Sequence, residues 1–461
     1  MTGIVHDKRQ SELIAGSCGS DNAPIASLPS FVDVFAGGGG LSLGLKRAGW
    51  KGLFAIEKDP CAFKTLSANF PADESPLSYD WPQSIERKAW DIHDLLTMRE
   101  ESLHSLVGQV DLLAGGPPCQ GFSHAGRRQP EDPRNRLFEA YLELVRILRP
   151  RLVLVENVRG FESDFKAKDQ KPVKNFAVAL RQGLSTSYDV ASAVIQSRDF
   201  GVPQARPRFF LVGVLKELSS KEGISTFFDD LERHVDEFLE QRGLPRWPSS
   251  KEAISDLEIS RNGTVDCIEC RGFQEIAYKA PLTSFQRAMR DGHEGAPSDM
   301  RLARHRPDIR NRFSAIIKSC HEEGRLNVTI SPKVRKAHKL KKMAIRVLDP
   351  MNAAPTVTSL PDDLLHYSEP RILTVRETAR LQSFPDWFSF KGNYTTGGHR
   401  RRNEVPRFTQ VANAVPPLLA EQLGLVLIRI VLGFRSTELP IQRFADDDQS
   451  CSVSQEFLSK A

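Results

Sequence analysis

Residues 31–57 have the sequence FVDVFAGGGGLSLGLKRAGWKGLFAIE and decide which fold the chain adopts. An apolar run is followed by four glycines, a segment with helical spacing and a second apolar run that ends at Glu57. A strand, glycine turn, helix and strand with a closing acid form the nucleoside-binding unit of a Rossmann-like sheet. Glu57 follows Gly37 at the spacing of about 20 residues that this unit expects. A simple tight turn or an NAD site would fit too, whereas the phosphate loop of nucleotide hydrolases is excluded because no Gly-Lys-Ser/Thr follows.

Strand and helix patterns continue to alternate after this unit. Apolar residues at helical spacing predict helices over 60–70 and 137–148, and residues 152–155 (LVLV) predict a buried strand. Asp91 and Ile92 are expected to close a weaker strand. This alternation favours a parallel sheet with helices on both faces. The sequence therefore predicts an α/β fold with a doubly wound, Rossmann-like sheet, and its length allows a second, smaller domain.

Composition and charge limit the class of protein. The chain has 461 residues, 40% hydrophobic and 26% charged, which suits a soluble globular protein. Its net charge is only +5, so a nucleic-acid site must come from local clusters of basic residues. Seven cysteines without a secretory leader indicate reduced thiols in the cytosol. The most apolar region, residues 418–434, contains three polar or charged residues, so we expect no membrane partner.

A second decisive segment is residues 115–123, GGPPCQGFS, which follows a short apolar run. Its glycines and prolines predict a sharp, stiff loop, because glycine permits unusual backbone angles and proline fixes φ. Cys119 on such a loop is placed as a nucleophile would be, although a half-buried structural thiol fits the same pattern. Glu156 follows the predicted strand at 152–155, and the carboxyl ends of such strands border one crevice. A thiol and a carboxylic acid in one crevice suit thiolate addition to a ring with proton supply from the acid.

Two arginines form a third candidate element. Residues 204–208 (QARPR) precede an apolar run at 209–214 that predicts another strand. Arg206 and Arg208 alternate with Pro207, so in an extended chain both point to one face. There they can orient an acid and stabilise negative charge, although single arginines are more often surface charges.

Six sequence blocks, taken in order, make the chain resemble the cytosine-C5 DNA methyltransferase family of prokaryotic type. The blocks are FAGGG at 35–39, GPPCQ at 116–120, ENV at 156–158, QARPR at 204–208, RILTVRETARLQSFP at 371–385 and QVANAVPP at 410–417. The resemblance covers roughly residues 31–214 and 350–432, in the family's usual order. Each block alone is a weak signal, but six in order leave little room for coincidence.

The resemblance implies a Rossmann-like methyltransferase sheet with a smaller target-recognition domain. It also implies methyl transfer from S-adenosyl-L-methionine to C5 of a cytosine that is flipped out of a specific duplex DNA sequence. Cys119 would add to C6 of the base, and Glu156 would protonate N3. Arg206 and Arg208 would contact the base carbonyl oxygen and stabilise charge. The mechanism needs no metal.

The same resemblance implies a binding site for S-adenosyl-L-methionine along the glycine unit. Phe35 would lie against the adenine, and Glu57 would hold the ribose hydroxyls. Asp91 would reach the adenine end, although an ordinary helix cap accounts for this residue type equally well. The implied set is Phe35, Ala36, Gly37, Gly39, Glu57, Asp91, Ile92 and Asn413.

The segment between Val214 and about Val347 departs from the family blocks and becomes richer in charge, as expected for the part that recognises DNA. Dense basic clusters suit phosphate contacts, although a solvated helix face has a similar composition. The predicted DNA-binding residues are Arg127, Arg128, Arg335, Lys339, Lys341, Lys342, Arg400 and Arg401. The predicted divisions are a tail at 1–29, a catalytic domain at 30–215 and 348–435, a target-recognition domain at 216–347 and a tail at 436–461.

Two smaller motifs yield further predictions. Residues 374–377 (TVRE) predict a capping box at the start of a helix. Cys267 and Cys270 have the spacing of half a zinc site. Only Cys320 and His321 are further candidate ligands, and their spacing is no known signature, so we predict no metal.

Two other functions fit parts of the pattern: a tRNA cytosine-5 methyltransferase and a non-catalytic DNA-binding regulator. The long basic segment favours DNA over tRNA, and the intact Cys119, Glu156, Arg206 and Arg208 favour an active enzyme. The expected partners are double-stranded DNA and a cognate restriction endonuclease or another defence-system protein. We expect a monomer in the prokaryotic cytoplasm, associated with the nucleoid.

Overall fold

The computed structural model describes residues 28–72, 75–118, 135–162, 165–166, 172–173, 176–219, 224–395 and 404–438. Most of both predicted tails lies outside these ranges. Five predicted site residues also lie outside the described residues: Cys119, Arg127, Arg128, Arg400 and Arg401.

A six-stranded sheet forms the centre of the fold. Its strands are β1 (Ser30–Val34), β2 (Lys51–Ile56), β3 (Leu112–Gly115), β4 (Leu152–Val158), β7 (Tyr188–Gln196) and β9 (Pro207–Leu215). Their order is β2-β1-β3-β4-β9-β7. The first four are parallel, whereas β9 runs antiparallel to both β4 and β7. The predicted doubly wound α/β sheet is confirmed, with an antiparallel strand near one edge.

Alternate residues of these strands face two separate apolar cores, because successive side chains of a strand point to opposite faces. Phe31, Leu112 and Leu152 face one core, and the next residue of each strand faces the other. The sheet is therefore buried on both sides, which explains why its strands are continuous apolar runs rather than alternating ones.

Among the described residues, six helices lie between β1 and β7 in the sequence. They are α1 (Gly40–Arg47), α2 (Pro60–Asn69), α3 (Ile92–Met98), α4 (Glu100–His104), α5 (Asn135–Leu148) and α6 (Phe176–Leu184). Asp59 caps α2 by accepting from the amides of Cys61 and Ala62, with Pro60 at the first helical position. Asp91 caps α3 and Ile92 is its first residue, so the weak strand predicted there is wrong and the alternative, a helix cap, is the observed one.

Ten further helices follow β9 among the described residues. They are α7 (Phe227–Arg233), α8 (Val235–Gln241), α9 (Ser250–Ile254), α10 (Ile259–Asn262), α11 (Ser284–Arg290), α12 (Pro307–Glu322), α13 (Pro332–Ala337), α14 (Val375–Leu381), α15 (Arg407–Asn413) and α16 (Pro417–Glu438). The short strands are β5 (Phe165–Lys166), β6 (Pro172–Val173), β8 (Gln204–Ala205), β10 (Thr264–Asp266), β11 (Gln274–Ile276), β12 (Arg346–Val347), β13 (Ala354–Pro355) and β14 (Leu364–Leu365). Four short 3-10 helices lie at Arg159–Glu162, Ser197–Phe200, Ser255–Leu257 and Pro361–Asp363.

The segment assigned to target recognition is divided between cores. Phe227, Phe238 and Phe285 belong to the same large core as the sheet, so helices α7, α8 and α11 pack on the catalytic domain. A separate cluster joins α12 and α13 with residues of β12 and β14, including Ile316, Val334 and Val347. A third, small cluster contains Leu257, Ile276 and Met300. The two small clusters mark the part of the segment that stands apart from the sheet.

Helix α14 is the most polar buried element of the described fold. Thr374 caps it and Glu377 completes the capping box, which confirms that prediction. All seven of its residues are buried, including Arg376, Glu377 and Arg380. Arg380 pairs with Asp386 and with Asp256, both buried. A buried charge is costly unless it is paired. The pairing of Arg380 with Asp256 therefore fixes helix α14 of the catalytic domain against the segment assigned to target recognition.

The long helix α16 is a core helix. The stretch 407–433 is long and apolar enough to cross a membrane, but 72% of its most apolar window is buried inside the protein. Its small residues allow close packing: a Cβ on Gly44 of α1 would lie 2.3 Å from Ala420 Cβ. Trp50 Nε1 also donates to Gly424 O at 2.9 Å. Helix α16 thus packs directly on α1, the helix that follows the glycine loop.

Candidate active site

The candidate site residues lie at one edge of the sheet. Strands β1, β2, β3 and β4 are parallel, so Phe35, Glu57, Gly116 and Glu156 all lie at their carboxyl ends. Strand β9 runs the other way, and its second residue, Arg208, is the register partner of Val158 at the end of β4. This antiparallel pairing brings an arginine from a distant block to the same edge.

Glu156 and Arg208 form an ion pair at this edge. Glu156 Oε1 lies 3.0 Å from Arg208 Nε, and each side chain is 12% exposed. The sequence had suggested that Glu156 follows strand β4. In the structure it lies inside the strand, two residues before its end at Val158. A Cβ on Gly116 would lie 3.1 Å from Glu156 Oε2, so the carboxylate packs directly on the backbone of the Gly-Pro-Pro loop. A side chain at 116 would press on this carboxylate, so glycine leaves the acid room at this position.

Arg206 lies near this pair and is almost completely buried, at 1% exposure. Among the residues that the structure describes, its Nε and Nη1 atoms have no hydrogen-bond partner. Burial lowers the pKa of the Arg206 guanidinium well below its ordinary value, and the nearby Arg208 acts in the same direction. The prediction that both arginines share one face is consistent with this proximity. Buried N–H groups without an acceptor are rare in folded proteins, so these two nitrogens are able to receive an acceptor from a bound molecule.

Asn157 connects strand β4 to the loop that leads to Cys119. Its Nδ2 donates to Pro117 O at 3.0 Å, and its Oδ1 accepts from the Val158 amide at 2.8 Å. Pro117 is buried and Pro118 half-buried. Cys119 itself lies outside the described residues, but Pro117, two residues before it, is held at the end of strand β4 by this contact with Asn157. The assignment of Cys119 as nucleophile stays a prediction.

The glycine loop after β1 faces Glu57, the acid at the end of β2. Glu57 Oε2 accepts from the Gly37 amide at 2.9 Å, and Oε1 accepts from the Asp59 amide at 2.7 Å. Burial raises the pKa of Glu57, and these two amides act against that effect. A Cβ on Gly37 would meet nothing within 4 Å, so the loop borders open space. A half-buried carboxylate beside open space and backbone amides suits the recognition of sugar hydroxyls.

Phe35 has a strained backbone, with φ +63° for a bulky residue, in the half-buried turn after β1. The junction of α15 and α16 packs behind this turn. A Cβ on Gly40 would lie 2.5 Å from Val415 O and 3.1 Å from Ala414 Cβ. Asn413, the last residue of α15, is exposed next to this contact. The structure thus brings Asn413 towards the glycine loop.

The remaining cofactor candidates have clear local roles. Asp91 Oδ1 accepts from the His93 amide at 2.9 Å as the cap of α3, and its Oδ2 lies 3.8 Å from Lys58 Nζ. Ile92 is buried in the second core. Trp90 N donates to Glu57 O at 2.9 Å, so this segment is joined to the acid. A cofactor contact by Asp91 or Ile92 stays a prediction.

Sequence reasoning missed one buried acid. Asp33 lies in β1, two residues before Phe35, and accepts from Ser42 Oγ in the first turn of α1. Tyr79 OH donates in turn to Ser42 Oγ at 2.6 Å. Burial raises the pKa of Asp33 to about 7, with a smaller contribution from nearby Glu57. The only signal in the sequence was an acid inside an apolar strand.

The predicted DNA-binding residues that can be located lie around α13. Lys339 and Lys341 are exposed, whereas Arg335 is half-buried and contacts Met343 Sδ at 2.6 Å. Lys342 lies 2.6 Å from Asp362 Oδ1 and 2.7 Å from Asp363 Oδ1, so its charge is balanced within the protein. Among the described residues, Lys339 and Lys341 thus form no ion pair, whereas Lys342 is paired with two aspartates.

The Cys267 and Cys270 pair forms a turn. The Cys267 amide donates to Phe273 O at 2.9 Å, and the Phe273 amide donates to Cys270 O at 3.1 Å. Burial raises the pKa of the Cys267 thiol to about 11. Within the described ranges, no group of three or more His, Cys, Asp or Glu residues is arranged to hold a metal ion.

Comparison with known proteins decides what this arrangement belongs to. A model of the C-5 cytosine-specific DNA methylase family matches residues 29–429. The chain belongs to the C-5 cytosine-specific DNA methylase family. The predicted family is therefore confirmed, and so is the predicted enzyme class, a DNA (cytosine-5-)methyltransferase.

Relatives of this methyltransferase match along most of their length. Type II methyltransferase M.DdeI of Desulfomicrobium norvegicum is 32% identical over 408 residues, covering 86% of this chain and 87% of that enzyme. Type II methyltransferase M.XorII of Xanthomonas oryzae pv. oryzae is 28% identical over 439 residues, covering 92% and 89%. A solved structure described as a prophage-encoded DNA modification methyltransferase of E. coli is 24% identical with a TM-score of 0.58, covering 88% of this chain and all of that one. The likeness to this solved structure supports the methyltransferase fold of the chain.

Proposed function

We propose that this methyltransferase transfers a methyl group from S-adenosyl-L-methionine to C5 of a cytosine in a specific duplex DNA sequence through a covalent Cys119–C6 adduct. The observation that carries the proposal is the Glu156–Arg208 ion pair at 3.0 Å, packed on the loop that leads to Cys119. An acid, its cationic partner and a stiff loop with a thiol are the groups that an unreactive pyrimidine ring requires.

Cys119 and Glu156 act together on the ring. The Cys119 thiolate forms a bond to C6, and the electron pair of the C5–C6 double bond moves into the ring, while Glu156 supplies the proton that N3 takes up. C5 thereby becomes nucleophilic and would take the methyl group with its electron pair, while the methyl–sulfur bond of the donor breaks and its electrons stay on sulfur. N3 then returns its proton to Glu156. A base then removes the C5 proton, and the electrons of that bond restore the double bond as the Cys119 sulfur leaves C6. Asn157 holds the Pro117 carbonyl, which keeps the thiol loop in register with Glu156.

Arg206 and Arg208 provide the electrostatic part of the site. Arg208 orients the Glu156 carboxyl by the contact at 3.0 Å. Arg206 has two buried nitrogen atoms without an acceptor, and the carbonyl oxygen of a bound cytosine is an acceptor of suitable chemistry. Donors that are fixed before the substrate arrives stabilise developing charge without reorganisation. The unpaired guanidinium is thus consistent with a site completed by the flipped base.

The residues around the glycine loop fit S-adenosyl-L-methionine. Glu57 would hold the ribose hydroxyls, Phe35 and Ile92 would contact the adenine, and the open space over Gly37 would admit the amino-acid part. Asn413 would close the site from the side of α15. When bound, the cofactor supplies an electrophilic methyl group on sulfonium. The chain's own contribution there is to orient that group towards the edge of the sheet where Glu156 lies.

The substrate must leave the DNA stack, because C5 and C6 are inaccessible inside a duplex. Flipping one base costs a few kcal/mol, which the site must recover through contacts to the extruded base. The curated relatives described above are named as Type II methyltransferases, and we extend that class to this chain. Methylation by this enzyme would protect host DNA from a cognate restriction endonuclease or serve a related defence system.

The decisive experiment measures transfer of radiolabelled methyl from S-adenosyl-L-methionine to duplex DNA and, separately, to tRNA. We expect labelling of duplex DNA, and loss of labelling with retained DNA binding in Cys119→Ser. A serine variant that methylates at the parent rate would refute the covalent mechanism, and labelling of tRNA alone would refute the DNA substrate. Bisulfite sequencing of DNA from cells that express the chain then identifies the base and its sequence context.

A further inference from the structure

A β-hairpin projects from the part of the chain that stands apart from the sheet. Strands β10 and β11 pair antiparallel, and residues 300–302 add a third strand through a bridge between Glu275 and Arg301. Every residue of β10 is exposed. At the turn, Ile268 is 94% exposed, and Arg271 is exposed as well. An edge strand that is open on both faces is a surface on which another molecule can lie.

The hairpin is fixed at its base and turn, so its exposure is not a sign of looseness. Ile276 and Met300 pack with Leu257 on one face. At the turn, Glu269 forms an ion pair with Arg407, and Tyr394 OH donates to Glu269 Oε2 at 3.0 Å. A two-stranded hairpin alone is marginally stable in water, and these anchors make it a rigid projection.

Two arginines, Arg301 and Arg304, lie beside the hairpin. The Arg301 guanidinium lies between two rings, with its carbon 4.2 Å from the Phe273 centroid and 3.8 Å from the Tyr394 centroid. Arg304 is exposed beside Phe273, 5.6 Å from its centroid. Within the part of the chain that the structure describes, no carboxylate forms an ion pair with Arg271, Arg301 or Arg304. Arginines held by aromatic stacking keep their N–H groups oriented for phosphate or base edges.

The hairpin is also connected, through Arg407, to the edge of the sheet where the parallel strands end. Arg407, its partner at the turn, donates through Nε to Gly392 O at 2.9 Å. A Cβ on Gly392 would lie 3.1 Å from Cys61 Sγ, in the first turn of α2. The Val405 amide donates to Asp59 Oδ2 at 3.1 Å, and Asp59 follows Glu57 closely. The hairpin is therefore connected to the side of the fold that carries the carboxyl ends of the parallel strands, which is also where Glu156 lies.

We infer that the hairpin of β10 and β11 enters the DNA major groove, with Arg271 recognising a base edge and with Arg301 and Arg304 binding the phosphate backbone. This rests on the proposed function, which makes duplex DNA the substrate. The major groove admits a two-stranded β-ribbon, and arginine is the commonest reader of guanine there. The predicted DNA-binding residues around α13, which include Lys339 and Lys341, belong to a different cluster.

The test compares three variants with a matched control. Arg271→Ala is an exposed change and should relax discrimination at one base pair by about 5- to 150-fold, seen by bisulfite sequencing as new methylated contexts. Arg304→Ala should weaken binding to all sequences and reduce the slope of log affinity against log salt by about 1. Arg301→Lys keeps the charge but loses the planar guanidinium, so it should weaken binding to all sequences with little change in that slope. Arg233→Ala removes an exposed, ion-paired arginine from α7 and should leave both measurements unchanged.

The outcomes separate this inference from the proposed function. Thermal unfolding is measured for each variant. The result for Arg301→Lys is used only if this variant is folded; if it is not, the exposed change Arg271→Ala alone tests the inference. A parent enzyme that methylates DNA, combined with unchanged contexts in Arg271→Ala and unchanged salt slopes, would overturn the role of the hairpin. A parent enzyme that methylates no DNA would instead overturn the proposed function.

Discussion

Replacing Glu156 with glutamine removes the acid of the site and nearly preserves its shape. Glu156 Oε1 lies 3.0 Å from Arg208 Nε, and an amide oxygen can accept from the same nitrogen. The carboxylate also packs on Gly116, a contact that the isosteric amide retains. The substitution therefore removes the charge and the acidic proton while it keeps the packing. We expect a large effect on the chemical step and a small one on folding.

The expected magnitudes follow from the chemistry and the exposure of the pair. A positioned general acid contributes about 10²- to 10⁴-fold to a rate, or about 3–5 kcal/mol. Changing a charge-assisted hydrogen bond to a neutral one costs about 1 kcal/mol of stability. Both side chains are 12% exposed, so solvent screening reduces this only partly. In a domain of this size, 1 kcal/mol corresponds to a decrease in Tm of about 2–4 °C.

The assay is single-turnover methyl transfer at saturating DNA and cofactor, together with calorimetric cofactor binding and thermal unfolding. Glu143→Gln is the matched control, because Glu143 forms an exposed ion pair with Arg146 on α5. We expect this control to differ from the parent by less than about twofold, as exposed pairs contribute little. A Glu156→Gln rate within about threefold of the parent, or equal losses in rate and in cofactor affinity, would refute the assignment of Glu156 as the acid.

Three further predictions follow from buried and exposed charges. Burial raises the pKa of Asp33 to about 7, above its unfolded value, so its contribution to stability is full at acidic pH and is lost as pH rises through neutrality. Asp33→Asn should remove this dependence, up to about 4 kcal/mol, in urea unfolding across that range, and parallel curves for parent and variant would contradict it. Arg380→Met leaves two buried carboxylates without this cation and should cost about 3–5 kcal/mol in urea unfolding; a loss below about 1 kcal/mol would show that the network is dispensable. Lys339→Ala with Lys341→Ala should flatten the salt dependence of DNA affinity by about 0.9 per lost phosphate contact, whereas Lys342→Ala, already paired with two aspartates, should change it less; an unchanged slope in the double variant would remove both lysines from the interface.

The local pattern of the sequence was sufficient to predict the nucleoside-binding unit. Predicted and observed bounds of its strand, helix and second strand agree within two residues, because each segment combines an apolar period with a glycine boundary. The same holds for the capping box at Thr374, which is a contact between residues three apart. The chemistry of the edge could be anticipated because strand ends meet there.

Contacts between distant residues could not be predicted in the same way. The sequence showed an acid and two arginines but not that Arg208 pairs with Glu156, which depends on the antiparallel register of β9. It showed a basic run around α13 but not the two aspartates that neutralise Lys342, about 20 residues later. The strand predicted to end at Asp91 was wrong because one polar residue serves equally well as a strand end and as a helix cap.

The close packing of α1 on α16 has a consequence for synthesis of the chain. Gly44 and Ala420, which touch across this contact, are separated by most of the sequence, and the α15–α16 junction lies against Gly40 at the glycine loop. A ribosome makes the first half of the cofactor site early, but the helix that supports it only near the end. Pairing over such a separation is slow and leaves apolar surface exposed meanwhile. We therefore expect the nascent enzyme to gain activity only after α16 has emerged from the ribosome and packed on α1.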